Sequence, residues 1–373
     1  MSQNPEPLLH EARKLLPEVV RLRRQIHRRP EIGLTLPHTQ GTIIDALGDL
    51  NLQITTGKEL SSVVAVLAGR SPGRTVLLRA DMDALKIREA TGLDYASEID
   101  GAMHACGHDG HTAMLVGAAR LLAAHRDRFA GRIIFAFQPG EERYAGARLM
   151  IEEGLLDRYG TPDAAFAIHI TPRHPSGEVF SRPGPVMAGA GTFRIAIKGR
   201  AGHPAEPHHA VDPIPIASEV VLALQTYVTR RVKAFEPAVV TVTSIQAGSP
   251  EVGAIPETAV LTGTIRAVAE ETRVQLFGSV CDLAVKIASA HGAEAEVRVD
   301  AGYPPVVNDP DVVEVIGKVS RELLGKDHFR LLPTPIMPSE DFSYILQRIP
   351  GAMAFLGARP EGQVPSLMFT PPR

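Results

Sequence analysis

Apolar positions recur at helical spacing from about residue 8 to 29, and two short apolar runs follow, Val63 to Leu67 and Thr75 to Arg79. Each run is followed by turn-like or acidic residues, the signature of a buried strand. The alternation continues with a helix over about 111 to 125, a strand Arg132 to Phe137, a helix Ala145 to Glu153 and a strand Asp163 to Ile168. Strands alternating with helices predict an α/β fold built on a mostly parallel sheet with helices on both faces.

From about residue 187 the pattern changes to strand 191 to 199, helix 211 to 233, strand 238 to 246, strand 258 to 267, helix 270 to 291 and strand 293 to 299. This β-α-β-β-α-β order is the ferredoxin-like, split βαβ arrangement. Beyond Tyr303-Pro304-Pro305 the first pattern resumes, with a helix from about 310 to 325 and an apolar run Ala352 to Leu356 that would rejoin the parent sheet. The expected division is residues 1–186 and 301–373 as one domain, with 187–300 inserted into it.

Composition narrows the function. The 39 basic and 42 acidic residues among 373 leave a net charge of −3, too little positive charge for a nucleic-acid or anionic-membrane partner. The opening MSQNPEPLL lacks the basic and apolar segments of a secretory signal, and no run reaches the ~18 apolar residues of a membrane span, so a cytoplasmic protein is expected. Cys106 and Cys281 are too few for a disulfide framework. Cys281 reads as a small buried residue, whereas Cys106 lies among histidines.

The polar residues fall at strand ends. Asp81 and Asp83 follow the run 75 to 79, Cys106 and His108 lie in a loop before a helix, Glu141 and Glu142 follow the strand 132 to 137, and His169 ends the strand 163 to 168. Ligands of open parallel sheets bind outside the carboxyl ends of the strands, so four segments would converge on one crevice. Thiolate, imidazole and carboxylate together suit zinc and its neighbours. The run His104-Ala105-Cys106-Gly107-His108-Asp109-Gly110-His111 also admits a polar loop capping the next helix, with Asp109 as the cap, or a cysteine nucleophile paired with a histidine. Glu141 and Glu142 point in different directions if they lie in a turn. One could then hold metal while the other serves as general base towards a water that the metal acidifies. A lone strand-end histidine such as His169 is often a satisfied core residue, and His203, on the inserted domain, reads from position alone as a turn histidine.

These stretches resemble a known family, the amidohydrolases that include hippurate hydrolase, N-acyl-amino-acid amidohydrolases and plant auxin-conjugate hydrolases, among the two-metal peptidases related to aminoacylase and carboxypeptidase G. The resemblance rests on Arg24-Gln25-Ile26-His27 with Pro30-Glu31, on Leu78 to Leu85, on Met103 to His111 and on Gln138 to Glu142. Ala167-Ile168-His169, Gly202-His203-Pro204, Thr262 to Arg266 and Ser339-Glu340-Asp341-Phe342 extend it over essentially the whole chain.

The resemblance implies a metal-dependent hydrolysis of N-acyl amino acids to a carboxylate and a free amino acid, with up to two ions of zinc, manganese, cobalt or nickel. Cys106 would bridge the ions, His108 and His169 would complete one site, and Glu142 would belong to the other. Glu141 would be the general base, and Asp83 would orient the ligands without being one. His203 would stabilise the oxyanion in the catalytic site of a partner subunit, and Arg266 would grip the substrate's α-carboxylate. The inserted domain would be a lid and would form a homodimer.

Two departures alter the expectation. Met368 stands where the family places a histidine of the second metal site, and a thioether is a poor ligand for these ions, which predicts a weak second site. The stretch Glu251 to Pro256 lacks an asparagine that the family places near the substrate. The alternative is therefore a metal-depleted homologue that binds acyl-amino acids or dimerises without turnover.

Overall fold

The strand-like runs of the first half lie side by side in one eight-stranded sheet. Its order is Gln53–Thr56, Val63–Ala68, Arg132–Gln138, Thr75–Asp81, Ala164–Pro175, Gly351–Arg359, Val179–Ser181 and Phe329–Leu331. The four central strands, from Arg132–Gln138 to Gly351–Arg359, run parallel to one another. Ile134 to Gln138 and Gly351 to Phe355 are continuously buried, as strands covered on both faces must be. The apolar run Ala352 to Leu356 does return to the parent sheet, pairing with Ala164–Pro175.

The computed structural model describes residues 6–249 and 253–363. They form two units. The first holds the residues up to Gly184, Val307–Thr334 and those from Asp341 onward; the second holds Pro185–Val306 and Pro335–Glu340. In the first, the helices Glu6–Arg28, Pro37–Leu47 and His108–Ala124 bury Leu22, Ile26, Ile43, Leu47 and Val116 against Val63, Ala65, Phe135 and Phe137. The predicted helices at 8 to 29 and 111 to 125 are thus present, and the pattern had passed over Pro37–Leu47.

In the second unit four antiparallel strands stand in the order Glu294–Asp300, Gly189–Lys198, Thr258–Ala267, Ala238–Ala247. With the helices Pro213–Arg231 and Glu270–Ala290 they run β-α-β-β-α-β along the chain. Phe193, Ile195 and Ile197 alternate with more exposed neighbours and meet Leu261, Ile265, Val220, Leu224 and Leu276 in a separate core. Cys281 is only half-buried, not a core residue. Among the described residues no helix is long and apolar enough to cross a membrane.

Candidate metal centre

Chain geometry at the carboxyl ends of the central strands brings the polar residues together. His108 opens the helix His108–Ala124, and Gly107 before it takes a left-handed φ of 86°. A side chain there would also collide with Ile170, since a Cβ would lie 2.4 Å from its Cδ1. Glycine lets this turn close against the end of the strand Ala164–Pro175, which sets Cys106 and His108 beside His169.

Ligand atoms of Cys106, His108 and His169 all lie within 4.8 Å of one another, and so do those of His108, Glu141 and Glu142. His108 belongs to both groups. Its Nδ1 donates to the Asp83 carbonyl at 2.9 Å, and Nδ1 of His169 donates to the Ile170 carbonyl at 2.6 Å. Each ring is thereby oriented with Nε2 turned to the cluster, the arrangement that metal-binding histidines use. His169 Nε2 lies 3.7 Å from Cys106 Sγ. Buried His108 Nε2 and Glu142 Oε1 make no hydrogen bond. Orphaned buried polar atoms are costly, and two adjoining clusters that share His108, one adding a thiol and an imidazole and the other two carboxylates, fit divalent cations.

Asp83 organises the glutamate pair. Its Oδ1 accepts from the amide of Glu141 and its Oδ2 from that of Glu142, both at 3.0 Å. Both of its oxygens are engaged there, so its geometry is that of a clamp. His111 Nδ1 donates to Asp81 Oδ1 at 2.6 Å and its Nε2 accepts from Ile170 N at 2.9 Å, which uses both ring nitrogens.

Electrostatics follow from this burial. Burial pushes the Cys106 thiol up to about 11, beyond what neighbouring His108 recovers, and pushes His169 down to about 3, with His111 adding to the effect. A protonated thiol is a poor nucleophile, which weighs against the cysteine-nucleophile alternative. Burial opposes charge on His108, but Asp81 and Asp83 outweigh it and raise its pKa. Burial also raises Glu142. In the metal-free cluster Cys106 therefore keeps its proton at pH 7, while His169 is already neutral. Binding an ion here is expected to release protons, and affinity should rise with pH near neutrality because protons on the ligands must leave. Calorimetry in two buffers of different ionisation enthalpy detects that release.

Several polar residues serve the site from beneath. Arg79 Nε donates to Gln138 Oε1 at 2.8 Å, its Nη1 to Asp81 Oδ2 at 2.6 Å and its Nη2 to Asp341 Oδ1 at 2.8 Å. Asp341 Oδ2 accepts from Ala147 N at 2.9 Å, at the start of the helix that follows the glutamate pair. Asp341 is thus a buried anchor. The reading of Asp109 as a helix cap is corrected. Gly107 is the N-cap residue, and the Asp109 carboxylate instead takes Arg23 Nε at 2.9 Å and His27 Nδ1 at 2.8 Å, fastening the first helix. Sequence reasoning missed Arg79 and Gln138, whose signal was a polar residue inside an otherwise apolar strand.

His203 and Arg266 belong to the second unit. His203 is exposed and its Nδ1 accepts from Ala205 N at 3.1 Å; half-buried Arg266 donates from Nη1 to Ser339 Oγ at 2.9 Å. Met368 lies outside the described residues, as do Glu251 and Val252.

The model of Peptidase family M20/M25/M40 matches residues 77–366, a span that takes in the cysteine–histidine run, the glutamate pair and His169. The chain belongs to this family. Members of the M20 group that it resembles include an N-acetyl-L-cysteine deacetylase of Bacillus subtilis, 40% identical over 91% of this chain and 80% of that protein. Another is IAA-amino acid hydrolase ILR1-like 2 of Arabidopsis thaliana, 39% identical over 92% of this chain and 77% of that protein. A solved Bacillus subtilis structure described as a dinuclear metal-binding peptidase of the M20 family superposes with a TM-score of 0.78, at 33% identity over 92% of this chain and 89% of that one. The protein is accordingly an M20 hydrolase acting on amide bonds, with clusters able to hold metal at the carboxyl end of its sheet.

Proposed function

We propose that this M20 hydrolase cleaves N-acyl amino acids to a carboxylate and a free amino acid. The observation that carries the reading is the pair of ligand clusters that share buried His108, one with Cys106 and His169 and the other with Glu141 and Glu142, in which His108 Nε2 and Glu142 Oε1 make no hydrogen bond. Zinc, manganese, cobalt or nickel are the ions this donor set suits. Bound there, the ion would polarise the amide carbonyl and acidify a water.

The chain's own residues divide the remaining work. Glu141 takes a proton from the attacking water and returns it to the leaving amine, with Asp83 holding its backbone amide so that the carboxylate keeps its aim. Residues 187–300, with their ferredoxin-like element order, would act as a lid and dimerisation domain inserted between 1–186 and 301–373. From it, His203 of one subunit would stabilise the oxyanion in the partner, and Arg266 would hold the substrate's α-carboxylate.

The test couples elemental analysis of the purified protein to amine release from acetyl, benzoyl and indoleacetyl amino acids. Metal at one or two ions per chain with release from at least one substrate is expected. Low occupancy and no release with added manganese or cobalt would favour the metal-depleted binder.

A further inference from the structure

His108 belongs to two ligand clusters but has one nitrogen to give. Its Nδ1 is committed to the Asp83 carbonyl at 2.9 Å, which leaves the buried Nε2, without a hydrogen bond, as the atom on which both the cluster of Cys106 and His169 and that of Glu141 and Glu142 would draw. A thiolate has lone pairs enough to be shared between two ions, whereas an imidazole nitrogen has one and serves a single ion. Two ions bound here are therefore not held alike.

Donor chemistry decides which cluster keeps the nitrogen. Cys106, His108 and His169 offer a sulfur and two nitrogens, a set that zinc binds far more tightly than manganese does. With His108 engaged there, the second cluster retains a Glu142 oxygen, with Glu141 beside it, and at most a share of the Cys106 sulfur. Among the described residues no other imidazole joins that cluster. The stretches outside them cannot supply one, because residues 1–5, 250–252 and 364–373 contain no histidine and no cysteine, and Glu251 is their one acidic residue. One or two carboxylates completed by water are what hard cations such as manganese and magnesium accept.

We propose that the two ion sites of this chain differ in chemistry, a tight sulfur and nitrogen site on Cys106, His108 and His169 that selects zinc, and a weaker oxygen site on Glu142 that is open to hard cations. A protein offered zinc and manganese together then holds one of each. The proposal deepens the metal-dependent reading above and rests on it, but not on the choice of substrate.

The experiment titrates the chelator-stripped full chain with zinc by calorimetry, then adds manganese to the protein carrying one zinc and reads bound manganese from the loss of the free-ion paramagnetic resonance signal. One tight zinc per chain is expected, with manganese bound at least about tenfold more weakly at a second site. Glu142→Gln should weaken manganese at least about tenfold and leave zinc within about threefold, and His169→Gln should weaken zinc at least about tenfold, since even the outer partners of a ligand are worth that much. The zinc that Glu142→Gln retains shows that the variant is folded. Two zinc ions of like affinity in wild type would overturn the proposal without recourse to any variant. So would manganese binding that Glu142→Gln leaves unchanged. Both ions bound as expected, with no amine released from any acyl-amino acid, would instead sink the substrate reading and leave the two sites standing.

Discussion

Glu141→Gln is expected to lose about 10²- to 10⁴-fold in kcat, the usual contribution of a positioned general base, while metal content stays close to that of wild type. The amide isostere preserves the shape of the side chain and leaves the backbone clamp to Asp83 untouched, since that bond uses the Glu141 amide. It removes only the capacity to take a proton. Single-turnover amine release measures the loss, and elemental analysis of the same sample measures the metal. A variant that keeps most of its rate would show that the proton moves through another group, and one that loses its metal would place Glu141 among the ligands.

Asp341→Ala should be the most destabilising of the single changes considered. Its carboxylate is fully buried and satisfies Arg79 Nη2, Gln138 Nε2 and Ala147 N together. Removing one partner of a buried ion pair costs about 3–5 kcal/mol, because the remaining charge stays desolvated. Asp81 still faces Arg79 at 2.6 Å, so the lower part of that range is expected. Urea unfolding of the metal-free protein measures it. The double variant Arg79→Met with Asp341→Leu should recover part of the loss, since no charge is then left unpaired.

Much of this arrangement was legible in the chain. The alternation of apolar runs and amphipathic helices located the central strands, and the rule that open parallel sheets bind ligands at their carboxyl ends places Asp83, Cys106, Glu142 and His169 at one end of the sheet. The short outer strands Gln53–Thr56, Val179–Ser181 and Phe329–Leu331 escaped because three or four residues carry no periodicity, and neighbours rather than propensity hold them in place. The Arg79–Asp341 pair escaped for a different reason. Its members stand 262 positions apart, and nothing local to either marks the partner. Asp109 misled because an acidic residue at a helix start usually caps it, whereas here the left-handed glycine ends the turn and frees the carboxylate for His27 and Arg23.

The most direct measurement is anomalous diffraction at the absorption edge of the bound metal, collected on crystals of the metal-loaded protein. A peak within coordinating distance of Cys106 Sγ, His108 Nε2 and His169 Nε2, with Glu141 and Glu142 beside it, is the result predicted. Metal held elsewhere, with these side chains bonded only to one another, would contradict the account.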